Sequence, residues 1–288
     1  MYLDYAPMSG SPISRRQFLA ASGLGLAGVA GSATYAFAAE PRHVELSSHE
    51  VPIPGLAPEL EGLRILQVSD VHLYEGIHHA ARRTIQLVES ARPDITLFTG
   101  DMCERQSQLS NLEAMMIACR GRLATLAIMG NWEYAARITP TRLAQSAERA
   151  GAELLFNQHR IVQVGEASLA IVGLDDPRAG HADPGQALAL LPREIPAIWT
   201  FHAPGLADRL SRDRYPVPTF IAAGHTHGGQ IRLPPIPAVT PPGSGRFVAG
   251  WYRDTFAPMY VSRGIGTTEI RARFLCPPEV PLFTLRRV

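Results

Sequence analysis

Five times along this 288-residue chain an apolar run of strand length stops abruptly at a short polar motif built from Asp, Asn or His. Residues 63–68 give way to Ser69-Asp70-Val71-His72, residues 94–98 to Thr99-Gly100-Asp101, and residues 123–129 to Gly130-Asn131. Residues 195–201 end in His202, and residues 219–223 end in Gly224-His225-Thr226-His227. Helical patterns follow the first three units, over about 78–91, over about 111–120, and in a helix opened by Thr141 as its N-cap. Strand, polar loop and helix repeated at about 30-residue spacing predict right-handed crossovers and a largely parallel sheet. The fold class is α/β.

Beyond Gly151 the period shortens. Residues 153–156, 160–164 and 168–174 read as short strands with tight connections, which predicts a second sheet of mixed direction packed on the first. The tail adds strands near 259–262, 269–274 and 282–285, and the alternating stretch 43–53 reads as an edge strand. Residues 234–242 hold five prolines in nine positions and read as a surface loop.

In an open α/β sheet the ligand crevice lies outside the carboxyl ends of the strands, so residues just after separate strands converge however far apart they are in sequence. The strand ends here bring Asp70, His72, Asp101, Asn131, His202, His225 and His227 toward one place. Seven ligands exceed the three or four protein groups that satisfy one zinc-like ion. Two ions sharing a carboxylate fit the number. Carboxylate, amide oxygen and imidazole together suit Mn, Fe or Zn better than Mg or Ca. Two such ions lower the pKa of a bridging water and clamp the oxygens of a phosphoryl group, which favours phosphoester hydrolysis. The two-apart pairs Asp70/His72 and His225/His227 can each send both side chains one way from extended backbone, whereas on a helix they would diverge.

This ordered set resembles the calcineurin-like metallophosphoesterases over roughly residues 63–285. The stretches 224–231 and 261–266 resemble the exported bacterial phosphodiesterases of that family. The resemblance implies a four-layer α/β/β/α sandwich of two mixed sheets holding two divalent ions. Carried over by position, Asp70, His72 and His227 would hold the first ion and Asp101 would bridge. Asn131, His202 and His225 would hold the second. Asp101, Asn131 and His202 are the catalytic candidates. Where the family usually reads Gly-Asn-His-Asp/Glu, this chain reads Gly130-Asn131-Trp132-Glu133. An indole has no proton to give at neutral pH, and general acid assistance is worth about 10² to 10⁴ in rate. The expected preference is therefore for leaving groups stable as anions. Relatives that cleave the pyrophosphate bond of acylated UDP-sugars also lack this His. His78 or His79 either substitutes as the acid or merely opens a helix. Trp132 either stacks on a substrate ring or packs, and Arg263 either forks onto a phosphate or forms a structural ion pair.

The N-terminus reads as an address. Ser14-Arg15-Arg16-Gln17-Phe18-Leu19, followed by a short Ala/Gly-rich apolar run, resembles a twin-arginine export signal, and Ala36-Phe37-Ala38 supplies small residues for a peptidase. Residues 1–38 are thus expected to be a signal peptide served by the twin-arginine translocase, and residues 39–288 one phosphoesterase domain of the periplasm or cell envelope. A net charge of +1 removes the broad basic surface of a nucleic-acid binder. Three cysteines form neither a zinc knuckle nor a disulfide framework. The leading expectation is a metal-dependent phosphodiesterase acting on a small-molecule, nucleotide-sugar or lipid phosphoester. The alternatives are a phosphomonoesterase, or a metal-holding binding protein in which Trp132 marks a degenerate site.

Overall fold

The computed structural model describes residues 14–288, beginning with α1 (Arg15–Thr34). Alternation along the central strands sorts their side chains into two cores. In β2 (Arg64–Val68) Leu66 and Val68 face helices, while Ile65 faces a second sheet. In β3 (Ile95–Phe98) and β4 (Ala124–Ala127), Phe98 and Ala127 take the helical side, and Leu97 and Leu126 the inter-sheet side. The first sheet runs β1 (Glu45–Ile53), β12 (Glu279–Arg287), β2, β3, β4, β5 (Glu153–Leu154). Strands β2 to β5 are parallel and β12 is antiparallel to β2, so the sheet is mixed.

The second sheet runs β10 (Gly250–Tyr252), β11 (Met259–Val261), β9 (Phe220–Ala223), β8 (Ala197–Thr200), β7 (Ala167–Gly173), β6 (Gln158–Val164). Its inner strands β11, β9, β8 and β7 are parallel, with an antiparallel strand at each edge. Phe220, Phe283, Ile171, Ile198 and Leu169 fill the space between the sheets. Helices α2 (His79–Ala91), α3 (Leu109–Ala118) and α5 (Pro140–Arg149) cover the first sheet with Ala81, Val88, Leu112, Met115 and Leu143. Between α3 and α5, the short α4 (Asn131–Ala135) follows β4 directly. The fourth layer is thin. Trp199, Ile221 and Met259 are covered by Leu206 on a 3₁₀ turn, Ala187 on α6 (Pro184–Ala187), and Phe247 and Phe256 from a loop.

One polar side chain crosses between the sheets beneath the strand ends. Gln67 Nε2 donates to Thr99 Oγ1 at 2.9 Å and to the Ala223 carbonyl, at the end of β9, at 3.0 Å. This fixes the carboxyl ends of β2, β3 and β9 against one another.

Some local expectations are corrected. Thr139, not Thr141, caps α5, because Pro140 takes the first helical position and the Thr139 hydroxyl accepts from the Arg142 amide. Residues 269–274 form no strand; only an isolated bridge joins Phe274 to Ile231. Residues 1–13 of the expected leader lie outside the described residues. Past α1, Tyr35–Ala39 form a π-helical turn and Glu40–Arg42 a tighter 3₁₀ turn. The buried Glu40 carboxylate accepts the amides of Leu275, at 2.8 Å, and Cys276, and the Arg273 amide donates to the Ala36 carbonyl. No helix among the described residues is long and apolar enough to cross a membrane. The three cysteines are buried and unpaired.

Candidate metal centre

Three of the five polar motifs leave their strands through left-handed residues. Asp70 (φ 54°), His72 (φ 52°), Asp101 (φ 53°), His225 (φ 73°) and His227 (φ 50°) all adopt positive φ without being glycine. Such residues cost of order 1–3 kcal/mol each, so five together rival a domain's net stability of about 5–15 kcal/mol. Strong local contacts must hold them there. The His225 amide donates to both Asp70 oxygens, at 2.9 and 3.1 Å, and the Trp132 amide to Asp101 Oδ1 at 2.8 Å. Glycine makes the close approach possible: a Cβ on Gly130 would overlap the Asp101 amide and carboxylate, and one on Gly224 would overlap the Ser69 hydroxyl.

The seven expected residues lie together. Asp70, His72 and His227 form one buried group of ligand atoms, and Asp101, His202 and His225 a second. Within the first, His72 Nε2 is 3.0 Å from His227 Nε2, and His227 Nε2 is 3.5 Å from Asp70 Oδ1. Asp101 Oδ2 stands between the groups, 3.0 Å from His202 Nε2 and 3.7 Å from His72 Nε2. Asn131, the first residue of α4, shares a cleft of about 540 Å³ with Asp101, His225 and His227. The donors fit divalent cations. Ligands bound at about 2.0–2.2 Å around one ion sit roughly 3–3.5 Å apart, close to the spacing here. Asn131 Oδ1 and His225 Nδ1 are buried with no hydrogen-bond partner, so these polar atoms have been desolvated with nothing in the protein to compensate, while His202 Nε2 faces the Asp101 carboxylate. The opposite ring nitrogens are held by the protein. His202 Nδ1 lies 2.8 Å from the Thr99 carbonyl and His225 Nε2 3.0 Å from the Pro242 carbonyl, which leaves the other nitrogen of each ring as the metal-facing one.

Burial would lower the His202 pKa, but the Asp101 and Asp70 carboxylates raise it well above the usual histidine range, so a cation bound there would displace its proton; the other groups already favour ligation. Burial alone would raise the Asp101 pKa, but the His202 and His72 imidazoles and the Trp132 amide hold it down at about 2. Burial, then the neighbouring His202, lowers His225, and burial, then His72, pushes His227 well below the usual histidine range. Both rings are therefore neutral, the ligating form.

Two carboxylates outside the set of ligand candidates, Glu104 and Glu133, hold this arrangement. Glu104 Oε1 lies 3.3 Å from His72 Nδ1, and Arg271 grips both Glu104 oxygens, at 2.8 and 2.5 Å. Burial would raise the Glu104 pKa, but His72 and Arg271 bring it down to about 2, so it stands as a carboxylate orienting the ring. Glu104→Gln is expected to weaken metal binding about 10–100-fold, read by competition with a chromogenic chelator. Unchanged affinity would remove Glu104 from this role. Glu133 is fully buried, and its carboxylate accepts the amides of Asp101 (3.0 Å), Met102 (2.7 Å), Cys103 (3.0 Å) and Gly130 (2.9 Å).

Trp132 lines the cleft with its indole edge-on to His72, ring centroids 5.4 Å apart. For the other side chains the structure selects between the two readings, and Arg263 is withdrawn as a substrate contact. Both His78 nitrogens are engaged, Nε2 with the Val71 carbonyl and Nδ1 with the Ala81 amide, so His78 caps α2 instead of serving as an acid. His79 is exposed and lines a different cleft, with Arg82 and Arg271. Arg263 does not reach the metal cleft. Its guanidinium pairs with Glu45 at 2.7 Å and Glu279 at 3.0 Å, the structural reading.

Comparison with known proteins matches residues 63–229 to the family described as calcineurin-like phosphoesterase. Over 285 residues the chain is 31% identical to an uncharacterized metallophosphoesterase, YkuE, of Bacillus subtilis, covering 95% of this chain and 98% of the relative. It is 28% identical to phosphodiesterase YaeI of Escherichia coli, over 95% of this chain and 99% of that one. It is 27% identical to UDP-2,3-diacylglucosamine pyrophosphatase LpxG of Chlamydia muridarum, over 84% and 89% of the two chains.

Proposed function

The chain belongs to the calcineurin-like phosphoesterase family, and from that premise we propose that it is a two-metal phosphodiesterase of the cell envelope, hydrolysing a phosphoester or pyrophosphate bond. The observation that carries this reading is the pair of buried ligand groups meeting at Asp101, with unpartnered buried Asn131 and His225 atoms beside them. Asp70, His72 and His227 would hold one ion, and Asn131, His202 and His225 the other, with Asp101 touching both. Two divalent ions there supply Lewis-acid polarisation of phosphoryl oxygens and acidify a water for attack. Mn, Fe or Zn suit the donor set.

The chain's own residues set the remaining chemistry. Among the described residues lining the cleft, no histidine lies outside the two ligand groups. Tyr134 donates its hydroxyl to Asp175 at 2.7 Å, and burial together with that bond raises its pKa, so it is a poor acid. With Trp132 where an imidazole could stand, departure of the leaving group goes without a strong proton donor. That supports substrates whose leaving group is stable as an anion, including a pyrophosphate ester. Two of the relatives are named for a phosphodiesterase and for a UDP-2,3-diacylglucosamine pyrophosphatase activity, which supports diester-type, nucleotide-sugar or lipid substrates. The exposed apolar Ile236 and Val239 beside cleft-lining Pro241 and Pro242 agree with an amphiphilic substrate. The envelope location and passage through the twin-arginine translocase rest on the Ser14–Leu19 stretch alone. Fractionation of cells making Arg15→Lys/Arg16→Lys protein tests them, with retention in the cytoplasm as the expected result.

The catalytic test is turnover of bis-aryl against mono-aryl phosphate with Mn, beside Trp132→His. Wild-type protein is expected to prefer the diester. Trp132→His is expected to raise the rate on an alkyl phosphodiester at least about tenfold more than on an aryl one, since acid assistance matters most for poor leaving groups. Preference for the monoester would make this a phosphomonoesterase. Metal binding without any turnover would make it a binding protein.

A further inference from the structure

Every other arginine near the metal centre is committed: Arg263 to Glu45 and Glu279, Arg271 to Glu104, and Arg273 to buried backbone carbonyls. Arg178 is not. It lines the same cleft as Asp101, Asn131, Trp132, His225 and His227, is exposed, and its guanidinium has no hydrogen-bond or ion-pair partner among the described residues. A flexible surface arginine would mean little, but this one stands on a built turn. Asp176 Oδ1 accepts the amides of Arg178, at 3.0 Å, and Ala179, and the Gly180 amide donates to the Asp176 carbonyl at 3.0 Å. Asp175 accepts the Tyr134 hydroxyl at 2.7 Å and the His181 amide at 2.6 Å. Tyr134 sits on α4, which begins with Asn131, so the turn bearing Arg178 is bonded to the helix bearing a ligand candidate.

Arg178 is also close to the centre. A Cβ built on Gly243 would lie 3.2 Å from Arg178 Cδ and 3.4 Å from His225 Nε2, so the arginine stem and the imidazole flank one backbone position. Two divalent ions held by two carboxylates already make the centre positive. A further unpaired cation beside it is favourable only with an anion between them. The cleft, about 540 Å³, has the size that takes a whole small molecule rather than a lone phosphoryl group.

We propose that Arg178 is an anion subsite beside the metal centre, gripping a second phosphate next to the scissile one and selecting pyrophosphate diesters over diesters with a single phosphate. This rests on the two-metal reading above. A planar guanidinium can fork onto two oxygens of a phosphate, whereas an ammonium offers a point charge.

The test measures binding as well as turnover, with wild type, Arg178→Met and Arg178→Lys, all metal-loaded. By calorimetry, Arg178→Met is expected to lose about tenfold or more in affinity for methylenediphosphonate and less than about twofold for inorganic phosphate, with Arg178→Lys recovering part of the loss. In turnover, KM for a nucleoside diphosphate sugar should rise by a similar factor, with kcat nearly unchanged and KM for a bis-aryl phosphate unmoved. Equal losses on both probes would place Arg178 on the scissile phosphate and overturn the proposal, and so would no loss on either. If wild type binds both probes but hydrolyses neither substrate, the phosphodiesterase reading fails, while the calorimetric comparison still decides the role of Arg178.

Discussion

Asp101→Asn is expected to reduce hydrolysis of a bis-aryl phosphate by about 10³-fold or more and to strip bound metal from the protein. The size follows from its position. Asp101 Oδ2 lies within 3.0 Å of His202 Nε2 and 3.7 Å of His72 Nε2, so one carboxylate serves both ligand groups. An ion supplies several kcal/mol of charge stabilisation to a phosphoryl transition state, and each 1.36 kcal/mol is about tenfold in rate. The isosteric amide keeps the shape and an acceptor for the Trp132 amide but loses the charge. Steady-state kinetics with elemental analysis checks it. A variant that keeps both its metal and its rate would break the link between Asp101 and the centre, as would wild-type activity that survives exhaustive chelation.

The largest effect on stability is expected at Glu133. Its carboxylate satisfies four buried backbone amides, three of them in the loop that carries Asp101 and the fourth at Gly130. Removing the acceptors leaves groups that each cost about 1–3 kcal/mol when buried unpaired. Glu133→Ala should therefore lose about 4 kcal/mol or more, much of the net stability of a typical domain, and be recovered largely as insoluble protein. Glu133→Gln keeps one acceptor oxygen and turns the other position into a donor facing amides. It should fold with a clearly lowered Tm and impaired metal binding. Thermal melts of both variants decide the matter: equal stability of Glu133→Ala and wild type would mean that water replaces the carboxylate without loss.

What the sequence made legible was what covalent order alone determines. An apolar run ended by Asp, Asn or His marks both the strand and the side chain it delivers, so Asp70, Asp101, Asn131, His202 and His225 could be named from spacing. Glu104 and Glu133 carried no such mark. Their partners are the His72 ring and the amides of another loop, brought together only by the packing of β2 beside β3 for Glu104 and of β3 beside β4 for Glu133. Arg178 follows Asp175-Asp176-Pro177, an order typical of turns, and nothing in that order marks a ligand site. The turn is nonetheless what presents the arginine. Arg263 misled in the opposite direction: a glycine-flanked loop next to a strand end looks like a phosphate cradle until Glu45 and Glu279, from distant strands, claim its charge. The thin fourth layer was equally hidden, because Phe247 and Phe256 cover Trp199 from a loop with no periodicity to betray it.

Each ligand group draws on both sheets. Asp70 and His72 follow β2 while His227 follows β9, and Asp101 follows β3 while His202 and His225 follow β8 and β9. The chain passes from one sheet to the other between β5 and β6 and returns only at β12, so apart from a few backbone bonds such as those of Ile265 and Gly266 to the Ser69 and Asp70 carbonyls, the halves are joined mainly by side chains. Ions bound there would act as rivets through a seam. Each, at a free concentration one hundred times its dissociation constant, adds about 2.7 kcal/mol to the folded state. The unfolding temperature is then expected to rise with free divalent metal and to fall on chelation, as the seam loses its ions but keeps its shared apolar core.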